Sequence, residues 1–310
     1  MGEAWSWTRE ALLAGGLIAA LIGALVLMTG SWPPMVVIES GSMMHEDDGS
    51  LGAIDPGDLV LVMSTDKRSI ITYAEATQVG NSVEGYESHG MPGDVIIYSK
   101  NGGSDTPVIH RAILRAEAHT TESPEDRSSG ACTNGTWDPI SLDSDGKAGT
   151  CVITWTVPGT NVYNVDNITV ELDYICHSGN KLRIESWDPG HAGYLTTGDN
   201  RVTNGCNYDQ KGVHYGGLAD ENGNAVKPVR DDWLIGVAGA EIPWVGSVKL
   251  ALSSNSEQVP GASWTKLFVS AIVILAIPAV WERIARKTMA SSPEVVQAEK
   301  EYAARIREEE

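Results

Sequence analysis

The sequence predicts a mainly β domain outside the cytoplasm, carrying a disulfide-stapled, loop-rich insertion and flanked by two transmembrane helices. Three observations lead there. Two long, uncharged apolar runs lie near the ends of the 310-residue chain. Short runs rich in β-branched residues, punctuated by Gly, Pro, Asn and Asp, fill the middle. All four cysteines fall in that same middle stretch.

The first run, residues 11–30 (ALLAGGLIAALIGALVLMTG), contains no charge. As a helix it can span the roughly 30 Å hydrocarbon core of a bilayer. A cleaved secretory signal is the competing reading. The run is long for a signal core, and no small-x-small site precedes the Trp32-Pro33-Pro34 stop, so a retained anchor is expected. Strands are then expected over 35–38, 59–62, 95–98, 108–114, 152–157, 168–172, 234–237 and 248–252, with a loop-rich insertion over about 116–190 that is most polar from 116 to 150. The second apolar run, 267–281 within an expected transmembrane helix 264–282, has Trp264 and Trp281 where interfacial aromatics would sit, and Pro278 would kink a spanning helix without forbidding it. A buried core helix is its alternative. Arg283, Arg286 and Lys287 follow directly, and positive flanks favour the cytoplasmic side. The expected organisation is therefore a two-pass cell-membrane protein. Residues 1–10 and 283–310 lie inside, and 31–263 lie outside.

The formal net charge is −19, and residues 31–262 hold 32 acidic against 14 basic side chains. With no basic face to neutralise phosphates, nucleic acid is excluded as a natural partner. Cys132, Cys151, Cys176 and Cys206 form no C-x-x-C pair, which argues against a zinc ribbon. An even cysteine count between two membrane segments suits two disulfides in an oxidising compartment. The glycosylation sequons at Asn134 and Asn167 agree on compartment. Three pairings are open. Joining Cys132 to Cys151 and Cys176 to Cys206 closes the shortest loops.

Chemistry is concentrated in three segments: Ser40-Gly41-Ser42-Met43; Gly93–Tyr98 with Pro107–Arg111; and Thr197–Asn200 with Asp209-Gln210 beyond it. They supply a hydroxyl nucleophile, a histidine base and a carboxylate to orient it. In order along the chain, Ile38–Met43, Pro56–Val62, Gly93–Tyr98, Pro107–Arg111, Leu195–Asn200, Leu234–Val237 and Ile242–Gly246 resemble the type I signal peptidase family, in its archaeal and endoplasmic-reticulum branch. The blocks cover about a sixth of the exterior domain, with long unmatched stretches between them.

That resemblance implies a barrel-like coiled β-sheet whose active site faces the membrane. It implies a serine endopeptidase that removes signal peptides from exported preproteins. Ser42 matches the nucleophile and His110 the base, where bacterial relatives place a lysine; Lys100 is the nearest lysine before that block. The Ser42 N–H and the Ser40 hydroxyl match the oxyanion-stabilising groups. Met43 and Met44 are candidates for the substrate cleft. The implied substrates are preproteins whose leaders end in small residues, with membrane lipid and the export machinery as further partners and no metal or organic cofactor. The third catalytic residue is expected at Asp209, with Asp199 as the alternative. The usual spacing after the Gly-Asp-Asn turn is occupied by Asn204, and a bridge at Cys206 could absorb the extra residues. Another departure is Met44-His45 after Ser42-Met43. His45 is an alternative base three residues from Ser42. His89, His119, His177, His191 and His214 are expected on surfaces or loops.

Overall fold

The structure, a computed structural model, describes residues 2–122, 151–176, 179–204, 206–253, 256–290 and 297. Two units are distinguished: everything up to Pro260, and the segment from Gly261 onward.

In the first unit the chain opens with helix α1 (Gly2–Thr29), whose described apolar side chains, such as Leu13, Leu17 and Leu21, are exposed rather than packed. A helix that is apolar all round and unburied matches a bilayer environment better than water. Residues Trp7–Thr29 are long and apolar enough to cross a membrane. Its last turn is tied to the following domain. Lys67 Nζ donates to the Leu27 and Met28 carbonyls, and Ser64 N–H donates to Thr29 O at 2.9 Å. A lysine at a helix C-terminus satisfies orphaned carbonyls and complements the helix dipole.

The chain after α1 then forms β1 (Met35–Val37), β2 (Leu59–Met63), α2 (Tyr73–Thr77), β3 (Glu87–Ser88), β4 (Met91–Pro92), β5 (Val95–Tyr98) and β6 (Val108–Glu122). Next come β7 (Cys151–Thr156), β8 (Ile168–Ile175), β9 (Lys181–Trp187), β10 (Gly193–Thr197), α3 (Arg201–Asn204), β11 (Leu234–Ile242) and α4 (Ser247–Leu252). The main sheet is antiparallel, in the order β1-β2-β11-β5-β6-β10, with β7 on the outer half of β6. Strand β5 is buried at all four positions, so Val95-Ile-Ile-Tyr98 reads as a continuous apolar run rather than an alternating one. One face packs Ile38, Met43, Ile54, Val60 and Ala238 against Val95. The other sets Ile96, Tyr98 and Ala112 against Tyr194, Val226 and Val229. A third cluster joins Ile113 and Leu195 to Leu172, Tyr174, Leu182 and Ile184 of the separate β8–β9 hairpin.

Several expectations need correction. With its long helices the chain is mixed helix and sheet, and the sheet is open, not a barrel. Its edges do not meet. The outer edge of β10 is bridged at one point by another segment, where Tyr194 and Val229 exchange both backbone bonds at 2.8 Å. Residues 247–252 form α4 rather than a strand, because Lys249-Leu-Ala-Leu252 are good helix formers and the turn buries Leu250. The stretch 116–122, expected as loop, continues β6, where it pairs with β7 from Glu117↔Thr156 to Glu122↔Cys151. The Cys132–Cys151 bridge, the Asn134 sequon and most of the 116–150 insertion lie outside the described residues.

In the second unit, α5 (Gly261–Ala290) contains Pro278 and exposes Phe268, Ile274, Leu275 and Trp281. Residues Gly261–Ala285 are long and apolar enough to span a membrane.

Candidate active site

Side chains alternate along a strand, so neighbours on β6 address opposite faces of the sheet. That alternation separates His110 from Arg111 and gives each its own carboxylate. His110 is 5 % exposed, and its Nδ1 lies 2.7 Å from Asp209 Oδ2. The same oxygen accepts the Tyr98 hydroxyl at 2.9 Å and the Thr196 hydroxyl at 2.6 Å. Gln210 completes the cage, donating from Nε2 to Thr196 Oγ1 at 3.1 Å and accepting from Thr196 N–H at 2.9 Å. Burial, and then the charge of Asp209, push the Tyr98 phenol well above its usual value, so it remains a donor. An oxygen already accepting two hydroxyls fixes the imidazole proton on Nδ1. Nε2 is then left as an acceptor.

Asp209 reaches this position by a short 3₁₀ turn, Asp209–Lys211, that follows a disulfide. Cys176 and Cys206 are bonded, with Cα atoms 5.0 Å apart, tying the end of the β8–β9 hairpin to the segment just before Asp209. Sequential pairing holds for this half of the expected framework.

On the opposite face, Arg111 is fully buried and holds Asp199 through Nε at 2.8 Å and Nη2 at 2.5 Å. Its Nη1 donates to the carbonyls of Ser88, Met91, Pro92 and Gly93, so one guanidinium closes the β3–β4 turn. Burial alone would raise the Asp199 carboxyl. The Arg111 charge, with hydrogen bonds from His45 and Arg111, outweighs it and holds the group below its ordinary value. Gly93 itself has φ +81°, and a Cβ there would meet the Tyr73 backbone nitrogen at 2.5 Å, so only glycine fits. The adjoining Asp94 is also buried. It accepts from Arg68 Nη2 and Tyr86 OH, each at 2.7 Å, and from Ile71 N–H at 2.9 Å.

Ser42 lies in the turn that follows β1. Its Oγ is 3.3 Å from Ser40 Oγ, and among the described residues no hydrogen bond joins it to His110. The turn is anchored to the end of β10: Asn200 N–H donates to Ser42 O at 2.9 Å, and Asn200 Nδ2 donates to Gly41 O at 2.7 Å. His45 Nε2 lies 3.3 Å from Asp199 Oδ2, so this histidine joins the Arg111 cluster instead of His110. Met43 is 1 % exposed and fills the core beside Ile54 and Val95, so it does not line a cleft. Met44 is half-buried, with Sδ folded over Gly41, where an added Cβ would sit 2.8 Å from it.

The remaining candidates are placed elsewhere. Lys100 pairs with Asp105 at 2.6 Å in the β5–β6 loop. His89 is buried 3.5 Å from Glu241, and His191 stacks edge-on against Trp233. His214 is exposed; the His119 side chain and His177 lie outside the described residues. Tyr98, Thr196, Gln210 and Asn200 carry site contacts that the sequence reading did not assign. Tyr98, Thr196 and Asn200 lie inside the motif blocks, and Gln210 adjoins Asp209, but their contacts depend on pairings between distant strands. The chain matches no protein-family model and no curated protein.

Proposed function

We propose that this chain is a membrane-anchored serine endopeptidase of the type I signal peptidase kind, removing leader peptides from exported proteins. The observation that carries the reading is the buried His110–Asp209 pair, with its histidine oriented by a carboxylate that three further side chains surround. Such an arrangement leaves Nε2 free to take a proton from a hydroxyl. Ser42 is the nucleophile: its oxygen attacks the scissile carbonyl, His110 receives the proton and passes it to the leaving amine, and water releases the acyl-enzyme. The Ser42 N–H, with the Ser40 hydroxyl, stabilises the tetrahedral oxyanion. In the structure the Ser42 hydroxyl rests against Ser40.

On this reading the two apolar helices are membrane anchors, the unit between them works outside, and both termini lie inside. Leaders ending in small residues are the substrate class, since shallow pockets discriminate by excluding bulk. A second arrangement, Ser42 with His45 and Asp199, has the 3.3 Å His45–Asp199 contact in its favour. Asp199, however, is already committed to Arg111.

The deciding experiment is cleavage of a purified preprotein by wild type, Ser42→Ala and His110→Ala in detergent or nanodiscs. Wild-type turnover with both variants inactive is expected. Undiminished turnover by Ser42→Ala refutes the assignment, and an active His110→Ala beside an inactive His45→Ala moves the base to His45.

A further inference from the structure

We infer that Asn200 is the positioning residue for the oxyanion donor, acting as a clamp between the end of β10 and the Ser42 turn. The inference rests on the peptidase reading and adds a role to a side chain outside the triad.

A peptide unit is planar and trans, so its C=O and N–H point in opposite directions and turn together. The unit joining Gly41 to Ser42 carries the Gly41 carbonyl at one end and the Ser42 N–H at the other. Asn200 Nδ2 donates to that carbonyl at 2.7 Å, and Met44 N–H donates to it at 3.2 Å. Fixing the carbonyl fixes the direction of the N–H, and polarising the carbonyl strengthens the N–H as a donor. The next unit is fixed too, because Asn200 N–H donates to Ser42 O at 2.9 Å. One residue therefore sets the peptide planes on both sides of the nucleophile.

The other end of the side chain has separate work. Asn200 Oδ1 accepts from Val202 N–H at 3.0 Å and Thr203 N–H at 3.3 Å, the pattern of a helix N-cap ahead of α3. Asn200 itself is anchored by its neighbour Asp199, which Arg111 holds in the core. The clamp thus transmits the rigidity of the sheet to a turn that has no strand partner of its own.

The two ends can be separated by substitution. Asn200→Ser keeps a capping oxygen but cannot reach Gly41 O. Asn200→Asp keeps the cap and sets a carboxylate oxygen against the Gly41 carbonyl in place of a donor. Losing a whole oxyanion donor costs about 10²–10³ in kcat. Misdirecting one is expected to cost roughly 10- to 100-fold, with KM unchanged.

The test measures kcat, KM and thermal midpoint on the full chain with a preprotein substrate. It adds the affinity of a peptide boronate, which mimics the tetrahedral intermediate. Support is a fall in kcat in Asn200→Ser, a larger fall in Asn200→Asp, weaker boronate binding in parallel, and a midpoint and KM near wild type. Unchanged kcat in Asn200→Ser overturns the clamp, as does a loss that follows the fraction of folded protein, which leaves Asn200 as a cap alone. Wild type that neither cleaves substrate nor binds the boronate overturns the peptidase reading and the clamp with it. Active wild type with a normal Asn200→Ser strikes the clamp only.

Discussion

The two buried carboxylates near β6 should fail in different ways when each is neutralised. In Asp199→Asn the fully buried Arg111 guanidinium loses the carboxylate that it contacts through both Nε and Nη2. Removing one partner of a buried ion pair costs about 3–5 kcal/mol. For a domain of this size that corresponds to a fall in Tm of roughly 6–20 °C. In Asp209→Asn the shell of Tyr98, Thr196 and Gln210 remains, and no buried cation is stranded. The imidazole, however, loses the acceptor that holds its proton on Nδ1, and on the peptidase reading kcat should drop about 10⁴-fold as the tautomer is lost. Tm by calorimetry and single-turnover cleavage by the folded fraction, measured side by side, give the comparison. An Asp199→Asn protein that folds like wild type but has lost three or more orders of magnitude in rate would refute the division. So would an Asp209→Asn protein that still turns over normally.

Other perturbations have defined outcomes. Because the Asp199 carboxyl is held below its ordinary value of 3.8, the unfolded chain takes up that proton first. The stability it contributes is therefore complete above pH 3.8 and lost as pH falls below it, and the Tm gap between wild type and Asp199→Asn should close in acid. Asp58 has the opposite sign: burial, opposed by the Trp244 and Asp55 N–H groups, raises it to about 6. The folded chain then holds the proton more tightly, and stability should decline as pH rises from 3.8 to about 6. A Tm curve flat over that window would contradict the burial argument. Cys176→Ala with Cys206→Ala opens a loop spanning 30 residues, with an expected loss of about 3–4 kcal/mol and slower cleavage as Asp209 loses its anchor; an unchanged Tm would count against it. Protease added to intact cells should cut within 116–150 and spare the C-terminal tail, and digestion of the tail alone would reverse the orientation.

Much of the sheet was readable from local composition. Val95–Tyr98, Leu59–Val62 and Leu234–Val237 are β-branched or aliphatic runs bounded by turn residues, and each lies in a strand. The 248–252 run misled because apolar content alone does not separate a short strand from a helical turn. Strand β9 was overlooked although Leu182 and Ile184 alternate with exposed residues, a period-two signal in plain view. Likewise Thr72 and Glu75 spell a capping box ahead of α2. The meeting of Asp209 with His110 had a different status. Spacing favoured Asn204, and what brings Asp209 back is a covalent link to a hairpin about thirty residues upstream, which no local pattern encodes. The burial of Met43 was equally non-local, since its pocket is lined by Ile54, Val95 and Ala238 from three separate segments.

The bonds between Lys67, Ser64 and the last turn of α1 bear on how freely the domain can move about its first helix. An anchor joined through a slack linker lets its domain wander over a hemisphere of heights and tilts. Here the helix end is welded to the residues just after β2, and only eleven residues lie between Gly30 and Ser42. With α1 as a membrane anchor, the sheet would behave as a ruler standing on the bilayer, with its mark at a fixed altitude. On the peptidase reading, a leader is cut where its own length above the membrane brings a bond level with that mark, so substrate selection is partly a measurement of height.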